Sequence, residues 1–179
     1  DAHGLGVLGA SGRGSCEHFG LTSDEVPVLV GTFGKAFGTF GAFVAGDADL
    51  IDFLLQKSRT YIYTTALPPA VAAATFAALD VAQRDPWRRE RVLAHARRVH
   101  GVLGLPGTCV SPIIPVVFGD ETRALEASRE LEARGLLVTA IRPPTVPAGT
   151  ARLRVTLSAT HDEEHVDALI AALAEVLRL

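Results

Sequence analysis

Short apolar runs alternate with longer helical patterns along this chain, and glycine or proline stops most of them. Residues 26–30 and 41–45 have the length of buried strands, and the β-favouring Tyr61-Ile62-Tyr63 reads as another. Asp47 or Asp49 can cap a helix through Leu50, Ile51, Leu54 and Leu55. Pro68 and Pro69 open an Ala-rich helix to about Arg84, because proline is tolerated in a first helical turn. Asp85-Pro86 repeats that signal and starts a helix to about Val102. Beyond it the pattern predicts a strand over 113–118 and a helix over 121–134 stopped by Gly135. Strands over 136–141 and 151–157 follow, then a helix over 161–177 with Val166, Leu169, Ile170 and Leu173 on its apolar face. Such alternation predicts an α/β architecture in two layers. The composition turns Arg-rich near residue 85, which predicts two domains, 1–84 and 85–179.

Seventeen basic against twenty acidic residues give a net charge of −3, so the basic footprint of a nucleic-acid or anionic-membrane binder is missing. Windows 60–79 and 100–119 carry no charge, but prolines interrupt both, which predicts buried core rather than a membrane span. Cys16 and Cys109 form no framework and suit a reducing interior. The chain has no Met, even at position 1, and is expected to be a fragment or a processed product.

Three motifs have ordinary explanations. Gly4-Leu5-Gly6-Val7-Leu8-Gly9 matches a dinucleotide-binding pattern, but that pattern works only between a strand and a helix, and neither flanks it here. His161-Asp162-Glu163-Glu164-His165 matches a zinc-hydrolase signature, yet Thr160 and Glu163 form a capping box that accounts for the same residues. Arg84, Arg88, Arg89, Arg91, Arg97 and Arg98 read as a solvated helix face, since the chain uses 15 Arg against 2 Lys.

That scarcity makes Lys35 informative. It lies in the glycine-dense turn Gly31-Thr32-Phe33-Gly34-Lys35-Ala36-Phe37-Gly38, with no carboxylate between Glu25 and Asp47. A core-facing lysine without a partner is expensive, and the same setting turns an amine into a nucleophile for Schiff-base formation; the alternative is a lysine that simply snorkels to water. The glycines would let a flat ring approach, and Thr32 offers a hydroxyl and an amide to a phosphate.

Thr32-Phe33-Gly34-Lys35, preceded by Asp1-Ala2-His3-Gly4, resembles the α-oxoamine synthase family of pyridoxal 5'-phosphate enzymes. Tyr63-Thr64-Thr65-Ala66-Leu67-Pro68-Pro69 is similar to that family's cross-subunit phosphate segment. The stretch from Ile141-Arg142-Pro143-Pro144-Thr145-Val146-Pro147 to Arg152-Leu153-Arg154 resembles its L-alanine-using members in particular. The resemblance covers the whole chain. It implies the end of a fold-type I large domain, residues 1–84, followed by the small carboxy-terminal α/β domain, residues 85–179. Lys35 would hold the cofactor in a Schiff base and move protons at the substrate α-carbon. His3 would contact the ring hydroxyl and Thr32 the phosphate, while Thr64 and Thr65 would reach the phosphate of the partner in a homodimer. Arg154 would grip the amino-acid carboxylate, and Thr145 would line the substrate site. The implied reaction is a decarboxylating condensation of L-alanine with a pimeloyl thioester, pimeloyl-CoA or a pimeloyl-carrier protein, in the cytoplasm.

The same resemblance leaves parts of the site outside this sequence. The family's acid for the pyridinium nitrogen lies three residues before the histidine, which places it just before Asp1, so Asp1 does not inherit that role. The chain matches the carboxy-terminal half of an enzyme about twice its length, and alone it is expected to show little or no turnover. The alternatives are a sister synthase, such as 2-amino-3-ketobutyrate ligase or an aminolevulinate synthase, and a non-catalytic interaction module that keeps the fold.

Overall fold

The computed structural model describes residues 1–108 and 111–177, so Cys109 lies outside the described residues. The chain divides into two compact units between Arg89 and Glu90. The sequence places a boundary at 84/85. Five residues separate the two because the Arg89 guanidinium turns back to the carbonyls of Ala82 and Ala10, whereas Val92 joins the second core.

The first unit opens with a glycine-rich loop and the short helix α1 (Ser15–Phe19). Strands β1 (Leu29–Thr32) and β2 (Ala42–Ala45) pair antiparallel, with Leu29 opposite Ala45 and Thr32 opposite Ala42. Helix α2 (Ala48–Lys57) is capped as expected, the Asp47 carboxylate accepting from the Leu50 N–H at 2.7 Å. Tyr61-Ile62-Tyr63 does not form the expected strand but closes the short helix α3 (Arg59–Ile62). The Tyr61 and Ile62 amides bond back to the Ser58 carbonyl at 3.0 and 2.9 Å. A strand needs a partner ladder, and local helical bonds win where none is offered. Helix α4 (Pro69–Arg84) starts at its proline. Among the described residues, Leu8 is the one buried apolar side chain of this unit, while Val30, Val44, Phe53 and Phe76 are exposed.

The second unit holds the hydrophobic core. Strands β3 (Ile113–Gly119), β4 (Thr139–Ile141) and β5 (Ala151–Thr156) form an antiparallel sheet in the order β3-β5-β4. Helices α5 (Trp87–Val102), α6 (Glu121–Ala133) and α7 (Glu163–Leu177) supply the other layer. Alternate strand residues Ile114, Val116, Leu153 and Val155 meet Val99, Leu131, Val166 and Leu173 from the helices, each almost fully buried. The opposite sheet face stays open, with Pro115, Val117, Arg154 and Thr156 exposed. Pro115 is tolerated because β3 is an edge strand. Strand β4 starts later than expected. The Gly135 and Leu136 amides are spent on the Glu132 and Leu131 carbonyls in a Schellman cap of α6, with Gly135 at φ 81°. Among the described residues no helix is long and apolar enough to cross a membrane.

Candidate active site

Lys35 sits in the nine-residue connection between β1 and β2. Phe33 N–H donates to the Gly41 carbonyl at 2.9 Å and Thr39 N–H to the Phe33 carbonyl at 2.9 Å, which carries the hairpin into the loop. The tip is a tight turn closed by Gly38 N–H on the Lys35 carbonyl at 2.9 Å. Thr32 Oγ1 accepts from Gly34 N–H at 3.2 Å and donates to the Gly41 carbonyl at 3.1 Å. The loop is tied to α4 through Thr75, whose hydroxyl meets Thr39 Oγ1 at 3.0 Å. The Phe33 ring packs on Phe37 and Phe43 at 5.9 and 5.4 Å between centroids. Of the two settings the sequence leaves open for Lys35, core-facing or reaching water, this chain shows the second: the residue is exposed at the tip of a hairpin in the unit with little core.

His3 is exposed at the start of the glycine-rich loop. Asp1 holds the loop's base: its carboxylate accepts from Ser15 N–H and Ser15 Oγ, both at 2.7 Å. Its backbone nitrogen donates to the Val30 carbonyl at 2.8 Å, so residue 1 lies beside β1. The loop then runs against the lysine turn. A Cβ on Gly6 would stand 2.8 Å from Ala36 Cβ and 3.4 Å from the Phe37 ring. Gly6 also has φ 78°, so its lack of a side chain is needed twice over. The glycine pattern that mimics a dinucleotide motif is therefore, at this position, a close approach between the His3 loop and the Lys35 turn. No local pattern in the sequence encodes it, since the two segments lie thirty residues apart.

Thr64 and Thr65 lie in a fully exposed stretch between α3 and α4, with Thr64 N–H on the Tyr61 carbonyl at 3.4 Å. In the second unit, Arg154 occupies the central strand, opposite Pro115 on β3 and Thr139 on β4, and is exposed on the open face. It carries no ion pair among the described residues. Arg152, two residues earlier and therefore on the same face, donates from Nε to the Thr150 carbonyl at 2.9 Å. The alternation of Arg152, Leu153, Arg154 and Val155 in the strand expected over 151–157 is the sequence signal that could have found this second guanidinium. Thr145 is exposed in the loop after β4, its N–H on the Arg142 carbonyl at 3.0 Å, beside a cis Pro143–Pro144 bond.

The expected capping box at Thr160 is corrected. Helix α7 starts at Glu163, and Asp162 is the cap, accepting from His165 N–H at 3.0 Å. That bond from the His165 amide is the main cause holding the Asp162 carboxyl below its ordinary range. The arginine cluster is not uniformly solvated either. Arg89 is buried, and Arg98 bridges Glu163 and Asp167.

The aminotransferase class I and II family profile matches residues 1–173. An 8-amino-7-oxononanoate synthase from Methylococcus capsulatus is 60% identical over 99% of this chain, which covers 47% of that protein. The namesake from Saccharophagus degradans is 55% identical over 99% of the chain and 46% of its own length. The chain thus spans about half the length of the curated relatives it matches. Among solved structures, serine palmitoyltransferase from S. paucimobilis with bound PLP-myriocin aldimine superposes with a TM-score of 0.91 at 32% identity, covering 99% of this chain and 46% of that one. An 8-amino-7-oxononanoate synthase from Francisella tularensis does so with a TM-score of 0.86 at 27% identity, covering 99% and 53%.

Proposed function

The chain belongs to the aminotransferase class I and II family, with the fold-type I architecture, and on that premise we propose that it is the carboxy-terminal half of an 8-amino-7-oxononanoate synthase. That enzyme joins L-alanine to a pimeloyl thioester with release of carbon dioxide and the thiol, a step of biotin synthesis. The observation that carries the reading is the high identity to curated synthases along essentially the whole chain. In this reading residues 1–84 end the cofactor-binding large domain and 85–179 form the small domain. The enzyme works as a cytoplasmic homodimer.

The donor set suits pyridoxal 5'-phosphate: an exposed amine for the aldehyde, hydroxyls for the phosphate, an imidazole for the ring hydroxyl. The rim beside Lys35 is open. A Cβ on Gly38 would meet nothing within 4 Å, and one on Gly34 would meet only Thr32 Oγ1 and Thr39 O, at 3.7 and 3.8 Å. A planar ring can therefore lie against the backbone there. When bound, the cofactor supplies an electron sink for negative charge that develops at the substrate α-carbon.

Lys35 would hold the aldehyde and, once released, take and return the proton at the α-carbon. His3 would donate to the ring hydroxyl. Thr32 would redirect its hydroxyl from the Gly41 carbonyl to the phosphate, and Thr64 and Thr65 would reach the phosphate of the partner subunit. Arg154 would bind the carboxylate of L-alanine through its two-pronged guanidinium, with Thr145 at the edge of the same site. The upstream half would supply the acid for the pyridinium nitrogen and much of the thioester site.

The test is the visible absorption band that full-length protein develops with pyridoxal phosphate. Lys35→Ala should abolish it, and a band that survives the substitution refutes the assignment. Turnover on alanine, glycine and serine then fixes the amino acid, because preference for glycine or serine would move the reading to a sister synthase.

A further inference from the structure

The loop that carries His3 is folded around one carboxylate. Glu17, in α1, accepts from Ser11 N–H at 3.0 and 3.1 Å, from Ser11 Oγ at 2.7 Å and from Arg13 N–H at 3.0 Å. Gly9 makes room for it, since a Cβ there would stand 2.1 Å from Glu17 Oε2. Gly6 N–H on the Gly12 carbonyl at 2.8 Å and Gly14 N–H on the Leu8 carbonyl at 2.9 Å join the two arms of the loop. The buried Arg89 grips its outer end at the Ala10 carbonyl. The inner end, Gly6, abuts Ala36 and Phe37.

We propose that Glu17 is a positioning residue: it folds residues 9–13, and through the Gly6–Ala36 contact that loop sets the turn presenting Lys35. The inference rests on Lys35 being the cofactor lysine. Lys35 is exposed, so its own side chain meets no core that could fix the turn from inside. In this chain the turn is held by the hairpin, the Phe37 ring on Phe33, the Thr75 hydroxyl and the Gly6 loop. A carboxylate is suited to this because every group turned toward it is a donor. Hydrogen bonds to a charged acceptor are stronger than neutral ones. Those donors also hold the Glu17 carboxyl below its ordinary range, the Ser11 hydroxyl foremost.

Hydrogen exchange on the full-length protein without cofactor tests the coupling directly. Glu17→Ala should speed exchange about tenfold not only over 9–13 but also over 33–39, as loss of bonds to a charged group implies. Glu17→Gln should fall between that variant and the parent, because its amide oxygen still accepts from Arg13 N–H while its NH2 meets the Ser11 N–H and the charge is gone. With pyridoxal phosphate added, the pH midpoint of the visible band should move in Glu17→Ala and return part of the way in Glu17→Gln. If exchange quickens over 9–13 alone and the band midpoint stays put, Glu17 only holds its own loop and the proposal is wrong. If Glu17→Ala does not fold, Ser11→Ala removes a single bond and should give the same two-segment pattern in smaller measure. Unchanged exchange over 33–39 in that variant overturns the coupling. The exchange readout decides this even if the parent protein shows no lysine-dependent band, an outcome that would instead overturn the Lys35 reading.

Discussion

Leu153 and Arg154 are neighbours in β5, yet their side chains leave opposite faces of the sheet, and truncating each should break a different property. Arg154 is exposed, lies between Pro115 and Thr139, and has no ion pair among the described residues. Its loss should therefore change stability by no more than about 0.5 kcal/mol, or no more than about 2 °C in Tm for the larger full-length protein. Two charge-assisted bonds to the carboxylate of L-alanine are together worth about 3–6 kcal/mol. At about 1.4 kcal/mol per tenfold, Arg154→Ala should raise the KM for L-alanine by about 10²–10⁴. Arg154→Lys keeps the charge without the fork and should fall between. Leu153→Ala is the control: the side chain is 0% exposed in the core, so the cavity should cost about 2.7–5 kcal/mol and lower Tm by at least about 5 °C. The assays are steady-state kinetics with varied L-alanine and thermal unfolding, both on the full-length enzyme. An unchanged KM in Arg154→Ala refutes the carboxylate-binding role, and a Tm loss there as large as in Leu153→Ala refutes the face assignment.

Gly6→Ala should lower Tm and weaken cofactor binding, because the methyl meets Ala36 Cβ at 2.8 Å and the residue has φ 78°. The backbone part alone costs about 1–2 kcal/mol, so a titration matching the parent would count against the loop–turn contact. Gly135→Ala meets nothing within 4 Å and has φ 81°, so only that backbone cost should appear in denaturant unfolding. Asp162 titrates below its ordinary 3.8 in the folded chain. Its contribution is complete above the unfolded value and is lost as pH falls through the lower folded one. Asp162→Asn keeps a capping acceptor and should flatten stability against pH at the acid end, as melting curves in acid would read.

Elements with a local cause were legible in the residues. Asp47 capping α2, Pro69 opening α4 and Gly135 closing α6 all act within one turn, so the order of residues suffices. The strand over 151–157 was legible too, and its alternation is what places Arg152 and Arg154 on one face. The candidate site was legible as a set of residue types, the lone lysine among glycines foremost, because chemistry demands those types wherever they lie. Three features were not. Tyr61-Ile62-Tyr63 became helical because no strand was offered to pair with it. Whether Lys35 faced a core or water stayed open, since burial depends on how much of the chain packs around a turn. Gly6 against Ala36 is a contact across thirty residues, and no local pattern encodes one segment's distance from another. Propensity and capping are settled between neighbours along the chain, whereas exposure and close approach are settled only when distant segments meet.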